Sequence, residues 1–109
     1  MLNLDLAPTF TRTASFHIPS GSGFVEQDCT VTFSALTLEE FAGFDMSKPE
    51  DVKRFLVRVV QGMGELVNGQ GEPVDYSTAV RDQLINQDWG RQGLVRAYVL
   101  GRQKAAVGN

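Results

Sequence analysis

"FLVRVVQGMGELVNGQGEP", residues 55–73, opens as the cleanest amphipathic helix of the chain and closes in glycine, asparagine and proline. The fold turns on where the one gives way to the other. Val52, Phe55, Leu56, Val59, Val60 and Met63 recur at spacings of three and four, one face of a 3.6-residue period. Lys53, Arg54 and Arg58 lie off the centre of that stripe and are expected in solvent. The spacing predicts a helix over 48–67, about five turns, in which Gly62 and Gly64 permit a kink or the close approach of a neighbouring element. "NGQGEP", 68–73, then reads as C-cap and turn, with Asn68 or Gly69 able to take positive φ and Pro73 preventing continuation.

The same glycines raise the question of a phosphate loop. A dinucleotide fingerprint needs G-x-G-x-x-G directly after a strand, whereas Gly62 and Gly64 follow a helical pattern and meet Val67 in the third place. A Walker loop ends in Gly-Lys-Ser/Thr, and no lysine lies between Lys53 and Lys104. No nucleotide and no cofactor is expected here.

Upstream, Phe10, Ala14, Phe16 and Ile18 alternate with Thr11, Thr13, Ser15 and His17, a strand with one buried face in which Arg12 is the exception. "PSGSG", 19–23, supplies hairpin-loop residues but is longer than the tight two-residue type. The return strand, 24–34, sets Val25, Cys29, Val31 and Phe33 on one face and Glu26, Asp28, Thr30 and Thr32 on the other, with Gln27 interrupting. Cys29 in the apolar row reads as a buried, inert thiol. His17 in the polar row is given no catalytic or metal role. Residues 1–9, broken by Pro8, read as an arm that frays or crosses onto another surface.

Two capping boxes separate two helices: "TLEE", 37–40, opens a short one ending near Gly43, and "SKPE", 47–50, opens the stripe described above. "PVDYS", 73–77, is an extended link with Val74 and Tyr76 directed inward, and Ser77 caps a helix carrying Val80, Leu84 and Ile85. A last helix starts at Asp88 or Trp89. Its stripe of Leu94, Val95, Tyr98 and Val99 is extended by the small residues Gly101 and Ala105. The expected fold is α+β, an N-terminal β-hairpin followed by about four helices, in one domain: arm 1–9, hairpin 10–34, helical part 37–107. The expected core is Phe16, Val31, Phe33, Val52, Phe55, Leu56, Val59, Val60, Met63, Leu84, Leu94 and Tyr98.

A chain of 109 residues, 42% hydrophobic and 21% charged, has the size and composition of one folded domain. A single cysteine and a single histidine leave no internal disulfide and no Cys/His zinc set. No signal segment and no apolar run of membrane length is read, so a soluble, unexported protein is expected. The net charge of −3 hides an asymmetry: six Lys/Arg against thirteen Asp/Glu in 1–88, four basic residues and no acid in 89–109. Opposite signs at the two ends favour self-association or intramolecular docking, and a basic helix that is only a solvated face is the other reading.

Catalysis needs a titrating group in a pocket or a nucleophile beside a base. The histidine sits on a polar strand face, and the adjacent Glu39 and Glu40 belong to a helix cap. An enzyme is not expected. Arg91 and Arg102 share a face of the last helix while Arg96 and Lys104 point elsewhere, a poor arrangement for reading a nucleic-acid groove. Those four residues are instead the candidate protein-binding surface.

"IPSGSG" (18–23), "FSALTLEE" (33–40), "FLVRVVQGM" (55–63), "GEPVDYS" (71–77) and "LVRAYVLG" (94–101), in this order and at these spacings, resemble the small tail assembly chaperones of long-tailed bacteriophages and prophages. The resemblance covers most of the chain after residue 12. Where the family pattern carries tryptophan after "VVxG" this chain has Met63, and the aromatic after the third helix is Trp89. The resemblance implies a non-enzymatic protein of the host cytoplasm, absent from the mature virion. Its implied partners are the tape-measure protein and the tail-tube protein, and this chain looks like the short form of a pair made by frameshifting. A structural tail or head component, and a small DNA-associated regulator, are the alternative readings.

Overall fold

The computed structural model describes residues 1–102. Its elements are β1 (Thr9–Ser20), β2 (Gly23–Ser34), α1 (Leu38–Ala42), α2 (Pro49–Val59), β3 (Val60–Gly64), α3 (Thr78–Ile85) and α4 (Asp88–Arg102). An N-terminal antiparallel sheet followed by helices makes the fold α+β, with one element that the periodicity did not predict. The sheet has three strands in the order β1-β2-β3.

The hairpin is tighter than its five-residue glycine-rich sequence suggested. Ser20 pairs with Gly23, leaving only Gly21 and Ser22 in the turn, and Gly21 takes φ 58°. Glycine at the first central position is what a primed two-residue turn requires, since its twist matches that of the strands. The pairing then runs unbroken to Thr9 opposite Ser34.

The stripe of residues 52–63 does not stay helical. α2 ends at Val59, Val60 turns to φ −76° and ψ 116°, and the chain pairs Val60, Gly62, Met63 and Gly64 with β2, with a bulge opposite Thr32 and Phe33. Two glycines would each weaken a helix by about 1 kcal/mol relative to alanine. Pairing with β2 satisfies backbone groups that would otherwise lie open along that strand. Gly64 also fits where little else would: a Cβ there would lie 2.7 Å from Thr30 Oγ1.

After β3 the chain turns at Glu65, a non-glycine residue at φ 60°. Residues 68–73 are accordingly not a helix C-cap but a loop of their own. Asn68 Oδ1 accepts from the N–H groups of Gln70 (2.9 Å) and Glu72 (3.0 Å), Val67 bridges Pro73, and the positive φ belongs to Gly71 at 78°, not to Asn68 or Gly69.

The first capping box forms in full: Thr37 Oγ1 accepts from Glu40 N–H at 3.1 Å and Glu40 Oε1 from Thr37 N–H at 2.9 Å. The second does not. α2 is preceded by Lys48 with no side-chain cap, because Ser47 donates both its hydroxyl (2.6 Å) and its N–H (3.0 Å) to Asp45 Oδ1. Ser77 accepts from Val80 N–H at 3.2 Å and starts α3.

One cluster of buried side chains fills the space between the sheet's inner face and the helices. Of the residues named from the sequence, Phe16, Val31, Phe33, Phe55, Leu56, Val59, Val60, Leu94 and Tyr98 are buried, and Val52, Met63 and Leu84 are half-buried against them. Ala14, Cys29, Leu36, Ile85 and Ala97 complete it. Tyr98 is its centre. Its ring lies 5.0 Å from that of Phe55 and 5.5 Å from those of Phe10 and Phe33, and its hydroxyl accepts the buried Leu36 N–H at 3.0 Å.

α4 lies close on β1 because its contact face is nearly without side chains. Gly93, Ala97 and Gly101 fall on one face at helical spacing, while Gly90 at the helix start lies against Leu84 of α3. A Cβ on Gly93 would strike the Phe16 ring and sit 2.8 Å from Ser15 O, and one on Gly101 would meet Arg12 Cγ and the Phe10 ring at 2.6 Å. The exception in the β1 apolar row is thereby accounted for. Arg12 Nη2 donates to Gly101 O at 3.2 Å, placing a cation at the C-terminal end of α4, where the helix dipole favours it.

Candidate functional site

The basic residues of α4 have separate duties. Arg91 donates to Ile85 O at 2.8 Å, closing the last turn of α3, and also pairs with Asp88; its side chain is only 16% exposed. Arg96 is exposed and donates to Ser15 O on β1 at 3.3 Å. Arg102 ends α4, but its side chain lies outside the described residues, as does Lys104 entirely. Among the described side chains, the structure brings together Arg91 and Arg96.

Those two arginines rim a groove of about 540 Å³ between the start of α2 and the first half of α4. Met46, Pro49 and Val52 form one wall; Gln92, Val95 and Arg96 form the other. Neither the 44–49 turn nor α4 alone makes this surface. Asp45 fixes the turn: its Oδ1 accepts from the Ser47 hydroxyl and then from the Ser47 N–H, and these bonds hold its carboxyl below the usual carboxylate range. Asp51 Oδ2 accepts from Asp45 N–H at 2.8 Å and ties the turn to α2. Met46 carries no periodic signal, and the groove was not legible from charge.

A second, apolar groove of about 330 Å³ runs beside β3. Met63, Leu66, Val67 and Val74 line it from the sheet side, Leu84 and Trp89 from the helices.

Burial, then the charges of Asp28 and Glu65, push the Cys29 thiol up to about 11, so the nucleophilic thiolate is disfavoured at neutral pH. His17 Nε2 lies 3.2 Å from Glu26 Oε2, and its ring stacks on Phe24 with centroids 4.9 Å apart, on the exposed part of the hairpin. Among the described residues no three His, Cys, Asp or Glu side chains gather as a metal site, and no helix is long and apolar enough to cross a membrane.

No protein-family model, no curated protein and no solved structure matches this chain.

Proposed function

We propose that the chain is a non-enzymatic assembly chaperone that holds the tape-measure protein of a long-tailed phage, helps recruit tail-tube subunits, and leaves the finished tail. The observation that carries this reading is the ordered run of segments from Ile18 to Gly101 that resembles the small tail chaperones. The site described above supports it physically. A groove walled by Met46, Val52 and Val95 and rimmed by Arg91 and Arg96 suits an amphipathic helix that presents apolar anchors with acidic neighbours. Methionine adapts its shape to varied partners, which suits a long repetitive helix better than a single docking motif.

The experiment is co-expression with the tape-measure protein of the same phage, reading the soluble yield of the complex. Wild type should raise that yield. Arg96→Glu should fold normally, because the bond it loses to Ser15 O is long and exposed and an exposed charge change costs little, and should lower the yield through repulsion. Arg91 is the poorer probe, since changing it also removes the bond to Ile85 O. If the tape-measure protein is equally insoluble with and without the wild-type chain, and no complex can be captured, the chaperone function is refuted. If Arg96→Glu solubilises it as well as wild type does, the groove is not the binding surface.

A further inference from the structure

We propose that the N-terminal arm of one copy adds as a strand to the β3 edge of a second copy, laying Leu2, Leu4 and Leu6 into the groove beside Met63. The arm has the pattern of a strand that lacks a sheet. Leu2, Leu4 and Leu6 alternate with Asn3, Asp5 and Ala7, one apolar face at a period of two, yet they are 80%, 86% and 64% exposed. Among the described residues, the hydrogen bond within Leu2–Ala7 is local: Asp5 N–H donates to Asn3 Oδ1 at 2.9 Å, an exposed bond that ladder pairing replaces.

The sheet's two edges differ in how they receive a strand. Ser20 and Gly23 flank a two-residue turn and so form a hydrogen-bonded pair; alternation then turns the backbone groups of Thr11, Thr13, Ser15, His17 and Pro19 outward from β1. That edge is guarded. Thr11 O accepts from Arg12 at 2.7 Å, Ser15 O accepts from Arg96 at 3.3 Å, and Pro19 has no N–H to give. The same alternation turns the N–H and C=O of Met63 outward from β3. Val60 N–H closes α2 on Leu56 O; among the described residues, no segment other than β2 makes a backbone hydrogen bond to the rest of β3.

The open edge also has the right face. Met63 pairs with the buried Val31, so its side chain lies on the sheet's inner side, and the apolar groove continues outward from it through Leu66, Val67 and Trp89. Val67 is 64% exposed. A strand added here turns every second side chain toward that groove and the others to solvent. Leu2-Asn3-Leu4-Asp5-Leu6 matches the five residues of β3 in length and supplies leucine on the inner side.

The donor has to come from another copy. Ala35 N–H holds Pro8 O at 3.0 Å, fixing the arm's exit on the β1 side, with β2 between it and β3. A strand added beyond β3 lies three strand spacings, about 14 Å, from β1, whereas the two residues from Pro8 back to Leu6 reach only about 7 Å. Leu6 therefore cannot lie along its own β3 edge. Donor and acceptor sit at opposite edges of the sheet, so the contact can pass from copy to copy, closing into a ring or a reciprocal pair. It is independent of the tail partner proposed above.

Two measurements on the full chain decide it. In sedimentation velocity over a concentration series, wild type should associate. Replacing Leu2, Leu4 and Leu6 by serine should weaken association by at least about tenfold per leucine, with an unchanged thermal melt of the lone chain. In the second, one preparation carries Leu4→Cys and another Val67→Cys; Cys29 is buried and leaves the background low. Oxidising the mixture should yield a cross-linked pair well above what either preparation yields alone. Wild type that stays monomeric throughout, association indifferent to the serine changes, or cross-linking no greater in the mixture would each overturn the proposal.

Discussion

Gly93→Ala puts the α4–β1 contact against helix propensity, and the two disagree in sign. Propensity alone favours the change: alanine in a helix interior is better than glycine by about 1 kcal/mol. The structure opposes it. The new methyl group would overlap the Phe16 ring and lie 2.8 Å from the backbone oxygen of Ser15. Phe16 cannot simply swing away, because it is 4% exposed and its ring packs edge-on against Trp89 at 6.0 Å. Ser15 O belongs to β1, which is held along its length by β2. Overpacking of this kind costs about 1–3 kcal/mol, and a wall that includes backbone places it near the upper end. After the propensity gain the net loss is about 2 kcal/mol, a substantial part of a stability of about 5–15 kcal/mol. With a urea slope of about 1–3 kcal/mol/M the midpoint should fall by roughly 1 M. Gly62→Ala is the control: nothing lies within 4 Å of its added Cβ, so the midpoint should hold or rise. Gly93→Ala at or above the wild-type midpoint would refute the close approach of α4 to β1.

Tyr98→Phe removes the acceptor of the buried Leu36 N–H while leaving the ring contacts in place, and should cost about 1–3 kcal/mol in the same melts; an unchanged midpoint would mean that this N–H finds another partner. Glu40 has its pKa lowered below 4.5, first by the Thr37 N–H, then by the Thr37 hydroxyl and by Arg58. A depressed folded value means stability that is present above 4.5 and lost as pH falls through the lower folded value. Urea midpoints of wild type and Glu40→Gln should therefore differ at neutral pH and converge on the acid side, and a gap independent of pH would show that the capping carboxylate is not the cause.

Why the hairpin was legible and the third strand was not follows from what each rests on. Ala14, Phe16, Cys29, Val31 and Phe33 declare their buried face by alternation within a dozen residues, a local signal. β3 has no such independence. Val59, Val60 and Met63 satisfy a helical stripe as well as they satisfy burial in a strand, and the deciding interaction is with Thr30 and Thr32, some thirty positions earlier. The glycines at 62 and 64 carry the available hint: each weakens a helix, and their joint cost favours leaving the helix altogether. Ser47 shows the same competition at shorter range. Its position fits a capping box, but Asp45 two residues earlier offers both its hydroxyl and its N–H a charged acceptor, which is the stronger bond.

The candidate site was half legible for a different reason. Counting arginines on α4 identifies where cations are, not which of them are already engaged. The spacing did carry that information for Arg91: Asp88 lies three residues before it, an i,i+3 ion pair at the helix start, and the final carbonyls of α3 lie just upstream. A cation so placed serves the α3–α4 corner before it can serve a partner. Arg96 has no such local acid, and its carbonyl partner, Ser15 O, comes from β1 only once the small-residue face of α4 has brought the two together. Gly93, Ala97 and Gly101 thus do more than allow close packing. By seating α4 on β1 they direct Arg96 to the sheet edge, where it blocks one carbonyl of β1 while its exposed side chain rims the groove with Val52 and Val95. The same packing that closes the β1 edge leaves the β3 edge, on the other side of β2, as the side of the sheet open to another chain.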